Sequence, residues 1–489
     1  VLAAAMLSLV ALAARPDEAR ARSQGAPPDS IVGIWTGTVT APQGRTELTL
    51  AFALDSIGRI LMTFHMPIMH CYAHPFDLPV EFAEGVYHFD ALGMSWRQEG
   101  ARLTGVFGLG HLPMSLRRGG RFTTEPAVRA APAGPAPLWK YALGAPTRAT
   151  PVVRDGVVYV GALDGRFHAV RAADGVKLWT WEGPHPIDGM ATIAADAVYV
   201  VDRGLELVCL DRANGATRWR FALHDSVAGR GPAPENATFT RRVSTPLVLD
   251  GLVYAGSSDR GLYALDAATG ERRWRYEAGT PIFSAIGHVG GDTLSFGGMD
   301  GSLVLFDRRL RREFVRVHAG GPVVSTPMVV AHRLIAGSRD YSIHVFDLGD
   351  TSRTWTFSYW FSWVESTPAI AGGTLWVGAS DYRRITAFDA ATGRVKWATD
   401  VHGMTWGTPA LDQHAVYAAT ASQNYPGTVI HHEGGIVALD RKTGAVKWRY
   451  AAPEPAENAL GGYAGSLALA DGRLFAAGLD GTLIALPVR

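Results

Sequence analysis

Seven side chains between Met62 and His74 form a dense run of soft and borderline ligands: Met62, His65, Met66, Met69, His70, Cys71 and His74. Thioether, imidazole and thiolate are the donors that favour Cu(I) and other soft metals. His70, Cys71 and His74 are the expected ligands, in a loop that follows a strand. A second reading stands beside this one. Met62, Phe64 and Met66 share one face of an alternating strand and would then be barrel core, and no standard zinc or blue-copper spacing is matched. Farther along, His431, His432 and Glu433 also have metal-ligand character. Adjacent histidines on a strand point to opposite faces, so a surface hairpin is the simpler expectation there.

A further set of candidates recurs along the chain, and the elements that position it come from an internal repeat. The segment from Thr150 reads TPVVRDGVVYVGALDGRFHAVRAADGVKLW, and the segment from Thr245 reads TPLVLDGLVYAGSSDRGLYALDAATGERRW. Copies return from Thr326, Thr367 and Thr408, with weaker ones near Ala191 and Ala285 and a last one from Ser466. Each copy holds four short apolar strands separated by turns such as Asp164-Gly165, Asp300-Gly301 and Asp480-Gly481, where Asp-Gly supplies the positive φ of a tight hairpin. The fourth strand ends near Trp179, Trp219, Trp274, Trp355, Trp397 or Trp448. Four antiparallel strands per unit make a propeller blade, and indoles are well sized to fill the gaps between blades. The last copy stops without its tryptophan strand. Residues 138–143, Leu-Trp-Lys-Tyr-Ala-Leu, supply the missing piece and are expected to close the eighth blade, removing a free sheet edge. The expected fold is all-β: an eight-bladed β-propeller over 138–489, preceded by a smaller unit.

In a propeller the innermost strands begin at the channel mouth. The residues just ahead of each Thr-Pro are Arg148, Asp188, Arg242, Phe283, Glu365, Trp406 and Tyr463, with Arg241, Trp363, His402 and Asn458 close by. Charges and aromatics around a funnel suit an anionic, planar ligand. The alternative is a merely polar, wet mouth in which Trp363 and Trp406 pack between blades. Two insertions, residues 225–242 and 421–435, enlarge loops on the ring, where binding tends to reside.

The G-x-[LV]-x-A-[LF]-D-x-x-T-G-x-x-x-W grammar resembles the quinoprotein-like repeat of pyrroloquinoline quinone (PQQ) alcohol dehydrogenases and of BamB-type lipoproteins. The resemblance implies one of two functions. The first is a non-catalytic scaffold that binds a protein or peptide on the propeller face. The second is a PQQ-dependent alcohol or sugar dehydrogenase with the quinone in the axial channel and a calcium ion polarising it. For the second, the expected roles are Asp188 as base, Glu365 for calcium, Trp406 for stacking, and Arg148 and Arg242 for the cofactor, Arg242 on its carboxylates. Those dehydrogenases carry a vicinal Cys-Cys pair, and the haem-bearing ones add C-x-x-C-H. This sequence has neither, its only cysteines being Cys71 and Cys209, and the scaffold reading is preferred.

Residues 31–120 alternate apolar and polar positions between glycine breaks, which predicts a small antiparallel β-barrel. Their G-x-W-x-G opening and L-P-M-S-L-R ending resemble an uncharacterised barrel domain found ahead of secreted hydrolases. Residues 121–137, rich in Ala, Pro and Gly, are expected to form a semi-extended linker. An apolar run from Leu2 to Ala14 followed by Ala19-Arg20-Ala21 reads as a secretory signal over 1–21, although residue 1 is Val and no basic segment precedes the run. The run falls short of the ~20 apolar residues a transmembrane helix needs. No cysteine follows it to carry a lipid anchor. The expected compartment is periplasmic or extracellular. With 46 Lys plus Arg against 45 Asp plus Glu there is no basic field, so nucleic acid is not an expected partner. No feature of the sequence assigns an oligomeric state.

Overall fold

The computed structural model describes residues 31–108, 112–125, 130–224, 243–424 and 432–488. The expected leader, Arg241, Arg242 and His431 lie outside the described residues. Within them the fold is all-β, interrupted by single 3₁₀ turns such as Pro67–Met69 and Thr351–Arg353.

The N-terminal unit is one nine-stranded antiparallel sheet. Its strands are β1 (Gly33–Ala41), β2 (Gly44–Leu54), β3 (Ile60–Met66), β4 (Cys71–Pro79), β5 (Glu81–Ala83), β6 (Val86–Phe89), β7 (Met94–Glu99), β8 (Arg102–Phe107) and β9 (Leu112–Arg118). They run in the order β4-β3-β2-β1-β9-β8-β7-β6-β5, a nearly closed barrel. Alternation explains the core, because every second residue of a strand faces inward. Leu48, Leu50 and Phe52 of β2 and Met62, Phe64 and Met66 of β3 are buried, with Trp35, Trp96 and Phe107 from other strands. The sheet curls tightly at Gly37 and Gly105. A Cβ there would lie 2.1 Å from Ser115 O and 2.0 Å from Ser95 O.

The rest of the chain forms eight radially arranged sheets of four strands, the seventh carrying an extra strand, Ala459–Gly462, on its elongated second strand Ala415–Asn424. Blade 8 is built from both ends of the repeat region. Trp139–Ala142 pairs antiparallel with Thr482–Pro487, Trp139 opposite Ala485 and Ala142 opposite Thr482. The recurrent Thr-Pro also finds its physical reason here. The hydroxyl at the threonine position accepts a backbone N–H of the neighbouring blade: Thr367 from Thr326 (2.9 Å), Ser466 from Thr408 (2.9 Å) and Thr150 from Ser466 (3.0 Å). A side-chain oxygen thus satisfies backbone donors that have no ladder partner at the axis.

The tryptophans lock the periphery. The Nε1–H of Trp139, Trp179, Trp219, Trp355 and Trp397 donates to Ala172 O, Arg212 O, Ala267 O, Ala390 O and Arg441 O, each in the outer turn of the following blade. The indole face lies on that turn's glycine, so a Cβ at Gly215, Gly270, Gly393 or Gly444 would sit 2.6 Å from the ring. Blade 8 has no such turn to offer Trp448. The linker takes its place, pairing in parallel with the outer strand of blade 7 through Ala133 and Arg449 and laying Gly134 on the indole. Gly134 N–H donates to Arg449 O (2.7 Å) and Arg449 N–H to Pro132 O (2.9 Å). Within the expected spacer, residues 132–134 thus make one isolated parallel bridge to that strand.

The barrel docks on blades 5 and 6. Phe107 and Phe361 have ring centroids 4.2 Å apart, and Gln43 makes a two-way amide contact with Ser358, donating to its carbonyl (2.7 Å) and accepting its N–H (3.2 Å). Apolar side chains of both units form one continuous cluster.

Candidate functional site

Backbone alternation fixes which residues face the axis. Ahead of each innermost strand, Ile187, Ile282, Val323, Val364 and Thr405 pack against a strand-ending glycine; a Cβ on Gly161 would lie 2.3 Å from Ile187. Two residues later, Ser284, Ser325 and Ser366 turn back into the blade and bridge the N–H and C=O of Gly297, Gly337 and Gly378. The residue between them must point the other way, toward the mouth. That position is held by Arg148, Asp188, Phe283, Val324, Glu365 and Trp406. Tyr463 is a correction: it is buried on the blade-facing side, because Gly465-Ser466-Leu467 stand for the usual x-Thr-Pro and shift the count by one residue. Asn458 is exposed on the edge of blade 7, its N–H bonded to Asn424 O (2.6 Å).

Both mouth carboxylates are clamped by arginines that the sequence reading missed. Asp188 is fully buried, and its Oδ2 accepts from Arg203 Nε (2.8 Å) and Nη2 (2.6 Å). Glu365 Oε1 accepts from Arg339 Nε (2.7 Å) and also meets its Nη2, while that guanidinium lies 4.5 Å from the Trp363 ring centre. Arg203 and Arg339 hold the same place in their repeats. Their backbone N–H groups donate to Pro186 O and Pro322 O, as those of Leu163 and Met299 do to Pro146 O and Pro281 O. That place lies two residues after the end of the second strand, a signal present in the repeat. Trp406 donates from Nε1 to Ser380 Oγ (2.8 Å).

A calcium–quinone pair would need a carboxylate free to ligate and another free to take a proton. Each mouth carboxylate is engaged through one oxygen, Glu365 Oε1 by Arg339 and Asp188 Oδ2 by Arg203, while Asp188 Oδ1 is buried without a partner and Asp188 presents no surface to a substrate. Among the described residues no three His, Cys, Asp or Glu side chains group as metal ligands. Buried Asp188 does not fit the role of a base that a substrate must reach. The mouth residues form a rim of paired charges and aromatics suited to binding.

The His/Met/Cys run is dispersed by the fold. Cys71 and His74 lie on β4, and not in a loop. Cys71 is buried, its thiol pushed up to about 12 by desolvation and directed at Phe64 O (3.6 Å). His65 accepts the Ala73 N–H at Nδ1 (3.1 Å) and lies 2.9 Å from Thr123 Oγ1 at Nε2, which ties the linker down. His74 packs edge-on against Phe76. His70 alone leaves the barrel: its Nε2 lies 3.3 Å from Asp400 of blade 6. Burial, then the Arg383 charge, holds that imidazole below its ordinary range. Arg383 joins the cluster by donating to Asp400 (3.1 Å) and to His402 Nδ1 (3.0 Å). His432 is buried 3.9 Å from Asp381, and Glu433 pairs with Arg449 (3.4 Å).

The family model described as outer membrane protein assembly factor BamB matches residues 96–197, 181–310 and 358–489. Quinohemoprotein alcohol dehydrogenase ADH IIB of Pseudomonas putida is 24% identical over 237 residues, 42% of this chain and 33% of that protein. The outer membrane protein assembly factor BamB of Moranella endobia is 28% identical over 152 residues, 29% of this chain and 37% of that protein. The solved quinohemoprotein alcohol dehydrogenase of Comamonas testosteroni superposes with a TM-score of 0.52 at 15% identity, over 72% of this chain and 76% of that one, a likeness of fold. The chain spans 18–39% of the length of the first curated relatives it matches.

Proposed function

The chain belongs to the outer membrane protein assembly factor BamB family of PQQ-like repeat propellers, and from that premise we propose that it is an exported, non-catalytic scaffold that holds a protein or peptide on its propeller face. The observation that carries this reading is the pairing of both mouth carboxylates with arginines, Asp188 with Arg203 and Glu365 with Arg339. A general base must reach the proton it abstracts, and Asp188 has no exposed surface. Paired, these groups instead build a rigid rim that also carries the half-buried Phe283 and Trp406. Aromatic side chains and arginines on a preformed surface are what binding hot spots use. Within the family the placement would be periplasmic, and no helix among the described residues is long and apolar enough to cross a membrane.

A PQQ-dependent dehydrogenase is the second reading, favoured by the similarity to alcohol dehydrogenase ADH IIB over 237 residues. Incubation of the purified chain with PQQ and calcium separates the two. The scaffold predicts that no quinone absorbance survives desalting and that no dye is reduced in the presence of primary alcohols. Retained quinone with alcohol-dependent dye reduction would overturn it.

A further inference from the structure

Two histidines of the run between Met62 and His74 stand, with His402, along the seam between barrel, linker and propeller. His70 ends the barrel turn after Pro67–Met69 and reaches blade 6. Its Nε2 lies 3.3 Å from Asp400 Oδ2 and its Nδ1 3.9 Å from Glu125 Oε1 of the linker, and only 10% of the side chain is exposed. From blade 6, Arg383 meets the same two oxygens, donating to Asp400 Oδ2 (3.1 Å) and lying 3.8 Å from Glu125 Oε1. Arg383 also donates to His402 Nδ1 (3.0 Å). His65 holds the turn that carries His70, accepting the Ala73 N–H at its Nδ1 (3.1 Å).

These hydrogen bonds fix where an added proton must go. Arginine and a backbone N–H can only donate, so His402 Nδ1 and His65 Nδ1 are both lone pairs. A proton on either nitrogen sets two donors against each other. The acceptor to which His402 then turns is Asp400 Oδ2, 4.0 Å away, which Arg383 and His70 already approach. One oxygen cannot serve three cations. Around His70 and His402 the charged groups balance, Arg383, Arg384 and Arg449 against Glu125, Asp400 and Glu433. His65 faces Glu47 and the Tyr72 ring. Protonating the imidazoles leaves an excess of positive charge at a seam where Arg383 is only 4% exposed. Buried cations that lose acceptors are strongly destabilising.

We propose that His70 and His402, with His65 supporting the turn between them, form an acid-sensitive latch that holds the barrel on blade 6 while they are neutral and releases it when they are protonated. The direction follows from burial. Desolvation, then the Arg383 charge, lowers His70 to about 4, and Asp400 opposes them only in part. Desolvation also lowers His402 and His65. A histidine lowered by docking protonates first in the undocked form. Docking is therefore fully present above pH 6.5 and is lost as pH falls toward the docked value. His70 alone, at 6.5 undocked and about 4 docked, makes docking about 20-fold weaker at pH 5 than at pH 7. Trp363, near Glu365 at the mouth, packs on the cluster shared with the barrel, so release also loosens one side of the rim.

Hydrogen exchange on the full chain, read by mass spectrometry and corrected for the intrinsic pH dependence of amide exchange, tests the latch. The reporter is the Ser358 N–H, which Gln43 of the barrel accepts (3.2 Å). Its protection should fall about 20-fold between pH 7 and pH 5, while strand Leu252–Gly256 of blade 3 stays protected. The double variant His70→Gln/His402→Asn keeps a polar acceptor for Arg383 but cannot titrate, so the same amide should be equally protected at both pH values. If circular dichroism shows that variant to be unfolded, His70→Gln alone takes its place and should lose most of the fall. No fall in the wild-type chain, or an equal fall in the folded variant, overturns the inference. So does a fall shared by Leu252–Gly256, which would be global unfolding. The result does not depend on what the mouth binds.

Discussion

Replacing Gly134 by Leu tests whether the linker completes the ring. The residue is not in a left-handed conformation, so the substitution acts by sterics alone. A Cβ at 134 would lie 2.9 Å from Trp448 Cε3 and 2.9 Å from Tyr450 N, against about 3.5–4.0 Å for relaxed carbon contacts. Something must move by about 0.6–1 Å. If the indole yields, the loss can be sized from its area: a tryptophan buries up to about 250 Å², worth about 6 kcal/mol at about 25 cal/mol/Å². Uncovering a third of that costs about 2 kcal/mol. If the linker yields instead, the hydrogen bonds joining Gly134 and Pro132 to Arg449 break, at about 1 kcal/mol each. Both routes predict a loss of about 2 kcal/mol in urea unfolding with an unchanged slope. The decisive assay is a double-mutant cycle with Trp448→Ala. Removing the ring makes room for the new side chain, so the pair should fall short of additivity by about 1 kcal/mol or more. Strict additivity, or a Gly134→Leu protein as stable as the wild type, would refute the idea that this glycine is a tryptophan seat.

Three other outcomes follow from the same contacts. His168 is buried beside Tyr141 of the closing strand (Nδ1 to Oη, 3.2 Å), and desolvation holds its imidazole down at about 4. A depressed histidine is neutral when folded and protonates first in the unfolded chain. Stability should therefore be full above pH 6.5 and fall by about 3 kcal/mol as pH drops toward 4, and His168→Gln should flatten that slope in pH-dependent thermal melts. Arg203→Met strands Asp188 as a buried, unpaired carboxylate and should cost about 3–5 kcal/mol, most of it recovered by adding Asp188→Leu; no loss in the single variant counts against the clamp. Gln43→Ala with Phe361→Ala should release the barrel from blades 5 and 6. Limited proteolysis between residues 121 and 130 would show this as faster cleavage, with the propeller core intact.

The repeats were legible because each blade writes the same inter-blade contact into the chain. Thr-Pro and the Trp…Thr-Gly pair recur since a hydroxyl must stitch neighbouring inner strands and an indole must find a glycine. The closing strand was legible for the same reason, as a fourth strand displaced to the wrong end. What escaped is what occurs only once. Gly134 does the work of a turn glycine from inside a proline-rich linker, with no repeat to flag it. The contact of His70 with Asp400 joins residues from different units, which no single stretch of sequence displays. The arginines on Asp188 and Glu365 sit at one repeat position, but Arg203 reaches within its own blade and Arg339 across to the next.

The seam in blade 8 carries a consequence for assembly in time. Trp139 and Ala485 are paired neighbours in space yet stand at opposite ends of the ring region in sequence. Bringing the ends of a long loop together grows only logarithmically in entropic cost, about 0.6 kcal/mol per doubling, so the seam weakens the finished ring very little. Its effect is on order. A chain emerging from N- to C-terminus can complete blades 1 to 7 one after another, while Trp139–Ala142 waits unpaired for its complement. The ring should therefore snap shut in a late step, and until then an open-ended arc with a bare strand at each terminus is the species most exposed to joining another copy of itself.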